Sequence, residues 1–351
     1  MVARDGRKHH IGTMQQQVKP IDWLAVTETG LYCRPGAFHV DPSRPVTRAL
    51  ITHGHGDHAR PGHGAVLATR ETGAIMRTRF GAEAGTLQAM AYGETQRIGD
   101  VAVRFVPAGH ILGSAQIVLE HAGQRVVVSG DYKRRRDPTC PPFEPVPCDV
   151  FITEATFGLP VFRHPPAEDE IARLLESLRL FPDRAHLVGV YALGKCQRVI
   201  GLLREAGYDK PIYLHGALRA LTDLYIAEGV ALGDLPDATG ADKEAMKGAI
   251  VLAPPSAIGD RWSRRLPDPL AALASGWMRV RQRAKQQGVE LPVVISDHAD
   301  WDELTATIDE LKPGEVWVTH GREEALVYWS QSRGIPAKAL LLTGREEEEG
   351  E

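Results

Sequence analysis

The sequence predicts an α/β protein in which packed sheets bring ligand-bearing strand ends to one rim, with a second α/β unit inserted into that body. Three observations carry this expectation. Residues His53 to His58 read HGHGDH, which places four candidate metal ligands within six positions. Six short, mostly β-branched runs each end at a histidine, aspartate or glutamate. Between Phe157 and Glu290 apolar runs alternate instead with helical patterns, and none of the six ends falls there.

In chain order, Ala49 to Thr52 leads to His53, and Val101 to Val106 leads through Pro107-Ala108-Gly109 to His110. Arg125 to Ser129 leads to Gly130-Asp131, and Val150 to Thr153 to Glu154. Pro292 to Ser296 leads to Asp297-His298, and Val316 to Thr319 to His320. A single polar strand end means little. Six that can bind metal or move protons imply convergence on one rim, where a rigid scaffold holds the loops. In the middle segment His186 to Tyr191, Pro211 to Leu214 and Ala249 to Leu252 read as buried parallel strands, with crossover helices at Lys195 to Glu205 and Ala217 to Glu228. The expected division is a first part over 1–156, an insertion over 157–290, and the resumed first domain with an acidic tail over 291–351.

Composition fits this plan. The 351 residues are 43% hydrophobic and 25% charged, as in a globular protein with a full core. Of the net charge of −4, five glutamates sit in Glu346 to Glu351, so the body is close to neutral. Basic runs at Lys133 to Arg136, Arg261 to Arg265 and Arg279 to Lys285 are candidates for phosphate contact, or simply solvated faces. The four cysteines form no C-x-x-C pair, which argues against a cysteine zinc site and for reduced thiols in the cytoplasm. No apolar stretch reaches the about 18 residues of a membrane span, and the N-terminus lacks a signal-like apolar core. The polar first dozen residues are expected to be disordered, with His9-His10 incidental.

The chemistry follows from residue types. Histidine and carboxylate ligands suit zinc, manganese or iron, and a pair of such ions about 3.5–4 Å apart is a recurring hydrolytic device. We assign His53, His55 and His110 to one ion and Asp57, His58 and His320 to the other, with Asp131 bridging both. Asp57 also faces the pair and is placed to hold or orient a nucleophilic water. His298 is the candidate general acid, because imidazole titrates near neutrality. Glu154 is expected to orient His298 or a ligand imidazole, and Asp41 to anchor the HGHGDH turn from behind. His63, His121, His164, His186 and His215 lack comparable context and read as structural.

With these residues in place, the chain resembles the metallo-β-lactamase superfamily, through HGHGDH, His110, Asp131 and His320. It more closely resembles the β-CASP nucleases, with Glu154 in Thr153-Glu154-Ala155-Thr156-Phe157, His298 in Ser296-Asp297-His298 and His320 in Thr319-His320-Gly321 as the additional motifs. Tyr191-Ala192-Leu193-Gly194-Lys195-Cys196-Gln197 is similar to the family's helix start, where Lys195 and free backbone N–H groups could meet a phosphate or simply pack. Stretches such as Gly36 to Pro42, Leu252 to Ala257, Ser275 to Met278 and Asp297 to Trp301 resemble the bacterial ligase-associated DNA exonuclease group. The resemblance implies an αββα sandwich with an inserted α/β β-CASP domain, two divalent ions (zinc or manganese), and nucleic acid bound between the two domains. It also implies functional association with an ATP-dependent DNA ligase and a helicase. One residue points elsewhere: in the DNA-repair branch of eukaryotes the last motif position is typically valine, whereas histidine, as at His320, is typical of RNA processors.

The favoured reading is therefore a metal-dependent nucleic-acid phosphodiesterase, a DNA exonuclease of repair. The alternatives are an RNA-processing nuclease of the type that trims mRNA 3′ ends, and a small-molecule ester or lactone hydrolase. A non-catalytic scaffold would not need the complete ligand set. Polarity, strand preference, native metal and oligomeric state have no signature in these residues.

Overall fold

A computed structural model of the chain describes residues 19–340 and 342. His9-His10 and the acidic run Glu346 to Glu351 lie outside the described residues. After a single helical turn, α1 (Pro20–Trp23), a first sheet forms from β1 (Leu24–Thr27), β2 (Gly30–Cys33), β3 (Phe38–Val40), β4 (Arg48–Leu50), β5 (Ala65–Ala68) and β6 (Thr86–Ala89), in sequence order. Helix α2 (Arg70–Phe80) crosses from β5 to β6, its N-terminus capped by the Thr69 hydroxyl. A second sheet begins with β7 (Thr95–Ile98), β8 (Val101–Pro107), β9 (Ala115–His121), β10 (Gln124–Val128) and β11 (Val150–Ala155).

A third sheet follows, entirely parallel, from β12 (His186–Gly189), β13 (Ile212–Leu214), β14 (Ile250–Ala253), β15 (Leu270–Ala274) and β16 (Leu291–Val293), in the order β13-β14-β12-β15-β16. Helices α3 (Ala167–Leu180), α4 (Lys195–Glu205), α5 (Arg219–Ala227) and the short α6 (Arg281–Gln286) connect these strands. The expected strands and crossover helices of the middle segment are present, and α4 spans the expected residues. The expected end at residue 290, however, falls just before β16, whose residues pair with Ala272 to Ala274. Pro292 lacks an N–H, which an edge strand tolerates, so the third sheet runs on to Val293. The chain then adds α7 (Trp301–Leu311), β17 (Glu315–Gly321), α8 (Glu323–Ser332) and β18 (Ala337–Ala339), completing a seven-stranded second sheet ordered β18-β17-β11-β10-β9-β8-β7.

Strand alternation decides the layers. Phe38, Leu50 and Leu67 of the first sheet bury one face against Val103, Phe105, Ile117 and Trp317 of the second. The opposite face of the first sheet, with Ala49 and Val66, packs on Met76 of α2. The opposite face of the second, with Phe151, Val316 and Val318, packs on Leu304 and Ile308 of α7 and Leu326 of α8. The third sheet covers Val188, Leu214 and Leu252 with Leu174, Val199 and Tyr225 of α3, α4 and α5. That core also takes in Ile75 of α2 and Ile111, so apolar contact ties the third sheet to the rim of the other two. Each fully buried side chain of this kind contributes roughly 1.5–3 kcal/mol. The chain is thus mixed α/β with several sheets, as expected.

Candidate metal centre

The six strand ends meet. The HGHGDH turn follows β4, His110 follows β8 and Asp131 follows β10, while Glu154 lies within β11 and His320 within β17. Two local features aim these side chains. Between the pairs Thr153–Val318 and Ala155–Gly321 the β11–β17 register shifts, so one residue opposes two. His320 sits in that bulge with φ +63°, which turns it out of the ladder. Gly130 has φ +56°, and a Cβ there would fall 2.7 Å from Thr52 Cβ; glycine lets the loop bearing Asp131 close onto the HGHGDH turn.

The seven expected ligands converge in two groups, His53 with His55, His110 and Asp131, and Asp57 with His58 and His320. Asp131 Oδ2 lies 3.4 Å from His53 Nε2, 3.5 Å from His58 Nε2 and 3.8 Å from His110 Nε2, so one oxygen neighbours both groups. Asp57 Oδ2 is 3.3 Å from His58 Nε2 and 3.9 Å from His320 Nε2. Six of the seven are buried and His55 is half-buried.

The hydrogen bonds around the cluster assign the tautomers. Asp41 Oδ2 accepts from His58 Nδ1 (2.8 Å) and from the Thr52 hydroxyl (2.7 Å). With its proton so used, Thr52 Oγ1 accepts from His53 Nδ1 at 3.0 Å. His110 Nδ1 donates to the Asp297 carbonyl (2.9 Å) and His55 Nε2 to the Leu193 carbonyl (3.3 Å). All four imidazoles therefore carry their proton on the outward nitrogen and turn a lone pair inward. Two of those inward atoms, His55 Nδ1 and His110 Nε2, are only 3.0 Å apart. Such lone pairs repel unless a cation satisfies both. His53 Nε2, His58 Nε2 and Asp131 Oδ1 are likewise buried without hydrogen-bond partners, and leaving such atoms unmet is costly. The donor set fits divalent cations.

Electrostatics agree for His55 and His110, whereas at His58 the carboxylates of Asp57 and Asp131 outweigh burial and, with no cation beside it, hold the imidazole well above the usual histidine range. Burial, with His53 beside it, lowers the His55 pKa to about 4. His110 is held well below the usual histidine range by burial and by His298, His53 and His55. Both are neutral, as ligands must be. Burial opposes ionisation of Asp131, but His58, His298 and His320 outweigh it and hold the carboxyl well below the usual range.

A third group joins Asp131, Glu154 and His298. Glu154 Oε2 accepts from His298 Nδ1 at 3.0 Å and Oε1 from the Tyr132 N–H at 2.8 Å. Burial disfavours the imidazolium, yet Glu154 and Asp131 push the His298 pKa up to about 10. A dication held at Asp131 would draw that value back toward neutrality. Asp41, at φ +43°, also accepts from the Thr52 N–H at 2.8 Å, so it fastens the start of the HGHGDH turn. A pocket opens over the cluster between Asp57 and His320 on one side and Tyr191 and Trp277 on the other. Trp277 and Phe157, ring centroids 4.7 Å apart, form an aromatic wall.

The basic runs divide. Lys133 to Arg136 are engaged internally, with Glu303 (2.5 Å), Glu310 (2.6 Å), Asp300 (3.0 Å) and Glu205 (2.7 Å) respectively. This run pins the loop after β10 to α7 and α4, and is not an open phosphate track. Arg261, Arg264, Arg265, Arg279 and Arg281 remain exposed, and Arg283 stacks 4.2 Å over Trp277. Lys195 is buried and ion-paired with Asp297, so its ammonium is engaged within the protein. His63, His121, His164, His186 and His215 join none of the ligand groups. Sequence reasoning misses the Lys133–Glu303 pair, Arg79 at the pocket edge, and the Leu193 and Asp297 carbonyls. Backbone carbonyls have no sequence signature.

No protein-family model matches the chain. It is 29% identical over 326 residues to a probable DNA ligase of Opitutus terrae, covering 91% of this chain and 31% of that protein. It is 31% identical over 212 residues to a ribonuclease of Thermus thermophilus, covering 50% of this chain and 48% of the other. The chain thus spans less than half the length of either relative. A crystal structure of a protein of unknown function from Enterococcus faecalis shares the fold, with a TM-score of 0.56 at 11% identity over 85% of this chain and 80% of that one. Fold and ligand groups together are those of the metallo-β-lactamase superfamily. Within it, the chain belongs to the β-CASP nuclease family.

Proposed function

We propose that this protein is a metal-dependent nucleic-acid phosphodiesterase acting as a DNA exonuclease in repair. The observation that carries the reading is the set of four inward imidazole lone pairs around Asp131. In this reading the two facing sheets with their outer helices are the αββα sandwich, and residues 157–293 are the inserted β-CASP domain. His53, His55 and His110 would hold one ion and Asp57, His58 and His320 the other, with Asp131 placed between the two groups. Divalent ions such as zinc or manganese, held by these residues, would supply acidity to a water and offset charge developing on the phosphoryl group. Asp57 orients that water. Glu154 engages Nδ1 of His298, leaving the other ring nitrogen to protonate the departing oxygen.

The relative named as a DNA ligase supports association with an ATP-dependent DNA ligase. A cytoplasmic setting suits the four free cysteines. Among the described residues no helix is long and apolar enough to cross a membrane. The relative named as a ribonuclease favours a second reading, RNA processing. The deciding experiment incubates metal-loaded protein with 5′- and 3′-labelled DNA and RNA of matched sequence, single- and double-stranded. DNA shortened from one end is expected. Cleavage of RNA alone selects the second reading. Hydrolysis of a lactone or thioester with neither polymer cut would refute both. Substrate binding should also weaken steeply with salt as phosphate contacts release counterions.

A further inference from the structure

We propose that Lys195 is a positioning residue through which the third-sheet unit sets the metal affinity of one half of the centre. The inference rests on the two-ion reading above. It starts from an asymmetry in what stands behind the ligands. His58 and His53 are oriented by Asp41 and Thr52, which flank β3 and β4 of the first sheet. His55 and His110 are oriented by the carbonyls of Leu193 and Asp297. Leu193 lies between β12 and α4, and Asp297 follows β16, so both carbonyls come from loops that leave the C-terminal ends of third-sheet strands. In the His53, His55 and His110 group two of the three imidazoles are therefore braced by a neighbouring unit, whereas His58 of the other group, like His53, is braced by its own sheet.

Lys195 ties those two carbonyls together. Its Nζ pairs with Asp297 Oδ1, and the two side chains are only 2% and 7% exposed. The turn before it is held as tightly. Gln197 Oε1 accepts from the Gly194 N–H at 2.8 Å, and its Nε2 donates to the Ala192 carbonyl at 3.0 Å. Gly194 has φ +83°, and a Cβ there would fall 2.3 Å from Ile111 Cγ2, on the residue after His110. The Tyr225 hydroxyl of α5 accepts from the Leu112 N–H at 3.2 Å, binding the His110 loop to the same unit. A buried ammonium is expensive to desolvate, and an aliphatic side chain would fill a helix start more cheaply. The pair therefore acts directionally, keeping the 193 and 297 carbonyls at hydrogen-bonding distance from two ligand imidazoles. Outer partners of this kind are typically worth about 10–100-fold in metal affinity.

The test is a titration of the metal-stripped full chain with cobalt(II) against a competing chelator, following visible absorption. Wild type should bind two ions. Lys195→Met should bind one with wild-type affinity and the other about 10–100-fold more weakly. The spectrum of its singly loaded form should match His55→Ala and differ from His58→Ala. Unchanged affinity at both positions, or equal weakening of both, would overturn the proposal. If circular dichroism shows Lys195→Met unfolded, the double variant Lys195→Met with Asp297→Asn removes both charges together, and the same selective weakening is expected. A wild-type chain that binds no ion would sink the two-ion reading itself, a result distinct from a Lys195 variant that behaves like wild type.

Discussion

Replacing Asp41 with asparagine tests the tautomer logic of the metal centre with almost no change of shape. The Asp41 side chain is 1% exposed, and the residue has φ +43°, a conformation that asparagine also tolerates. The amide oxygen can keep the Thr52 N–H bond made by Oδ1. The other position changes sign: Oδ2 accepts from the Thr52 hydroxyl at 2.7 Å and from His58 Nδ1 at 2.8 Å, whereas an amide NH₂ only donates. His58 escapes the clash of donors by moving its proton to Nε2, which removes the lone pair it turns to the metal. The same reversal passes more weakly through the Thr52 hydroxyl to His53 Nδ1, 3.0 Å away. Metal affinity on the His58 side should fall about 10–100-fold, or about 1.4–2.8 kcal/mol. Inductively coupled plasma mass spectrometry after dialysis against a metal buffer reads this directly, and urea unfolding of the metal-free chain reports the accompanying loss of stability. Two ions retained at wild-type affinity by a folded Asp41→Asn chain would refute the tautomer assignment.

Three further outcomes are expected. His298→Ala should keep both ions while the rate falls by about 10²–10⁴; loss of metal in this variant would make His298 a ligand instead. Glu154→Gln should move the alkaline limb of the kcat/KM profile to lower pH by roughly 1–3 units. The sign follows from His298 acting as an acid: activity is lost as pH rises through its pKa, and Glu154 is the leading group raising that pKa against burial. An unmoved limb would remove His298 from the profile. Arg198→Leu should destabilise the fold by about 3–5 kcal/mol in denaturant unfolding, because it strands the buried Asp137 carboxylate, 3.2 Å from the guanidinium. A change within error would mean that water reaches Asp137.

The ligand set is legible in the sequence because each member ends a short apolar run, and strand ends converge where sheets pack. Asp41 and Glu154 stand out in the sequence for the same reason, and they lie 2.8 Å from His58 and 3.0 Å from His298. The basic run Lys133 to Arg136 misleads, because partners such as Glu303 and Glu205 are distant in sequence and only the fold pairs them. The end of the third sheet misleads too. Leu-Pro-Val at 291–293 is a three-residue edge strand recruited by β15, and nothing local in the run from Pro292 to Ser296 says which sheet it joins. Lys195 reads either as a phosphate contact at a helix start or as packing, and Asp297, which pairs with it, lies beyond the entire third sheet.

The left-handed backbone at His320 restricts the substitution paths open to this chain. A β-branched residue at positive φ is strained, by an amount on the order of 1–3 kcal/mol. Valine, typical of this position in the eukaryotic DNA-repair branch, is therefore a poor single replacement here. Reaching it would require the β11–β17 bulge to be ironed out at the same time, a coordinated change of backbone and side chain. His320 is held in place by local geometry as well as by chemistry, so its presence is weak evidence about which polymer the enzyme prefers.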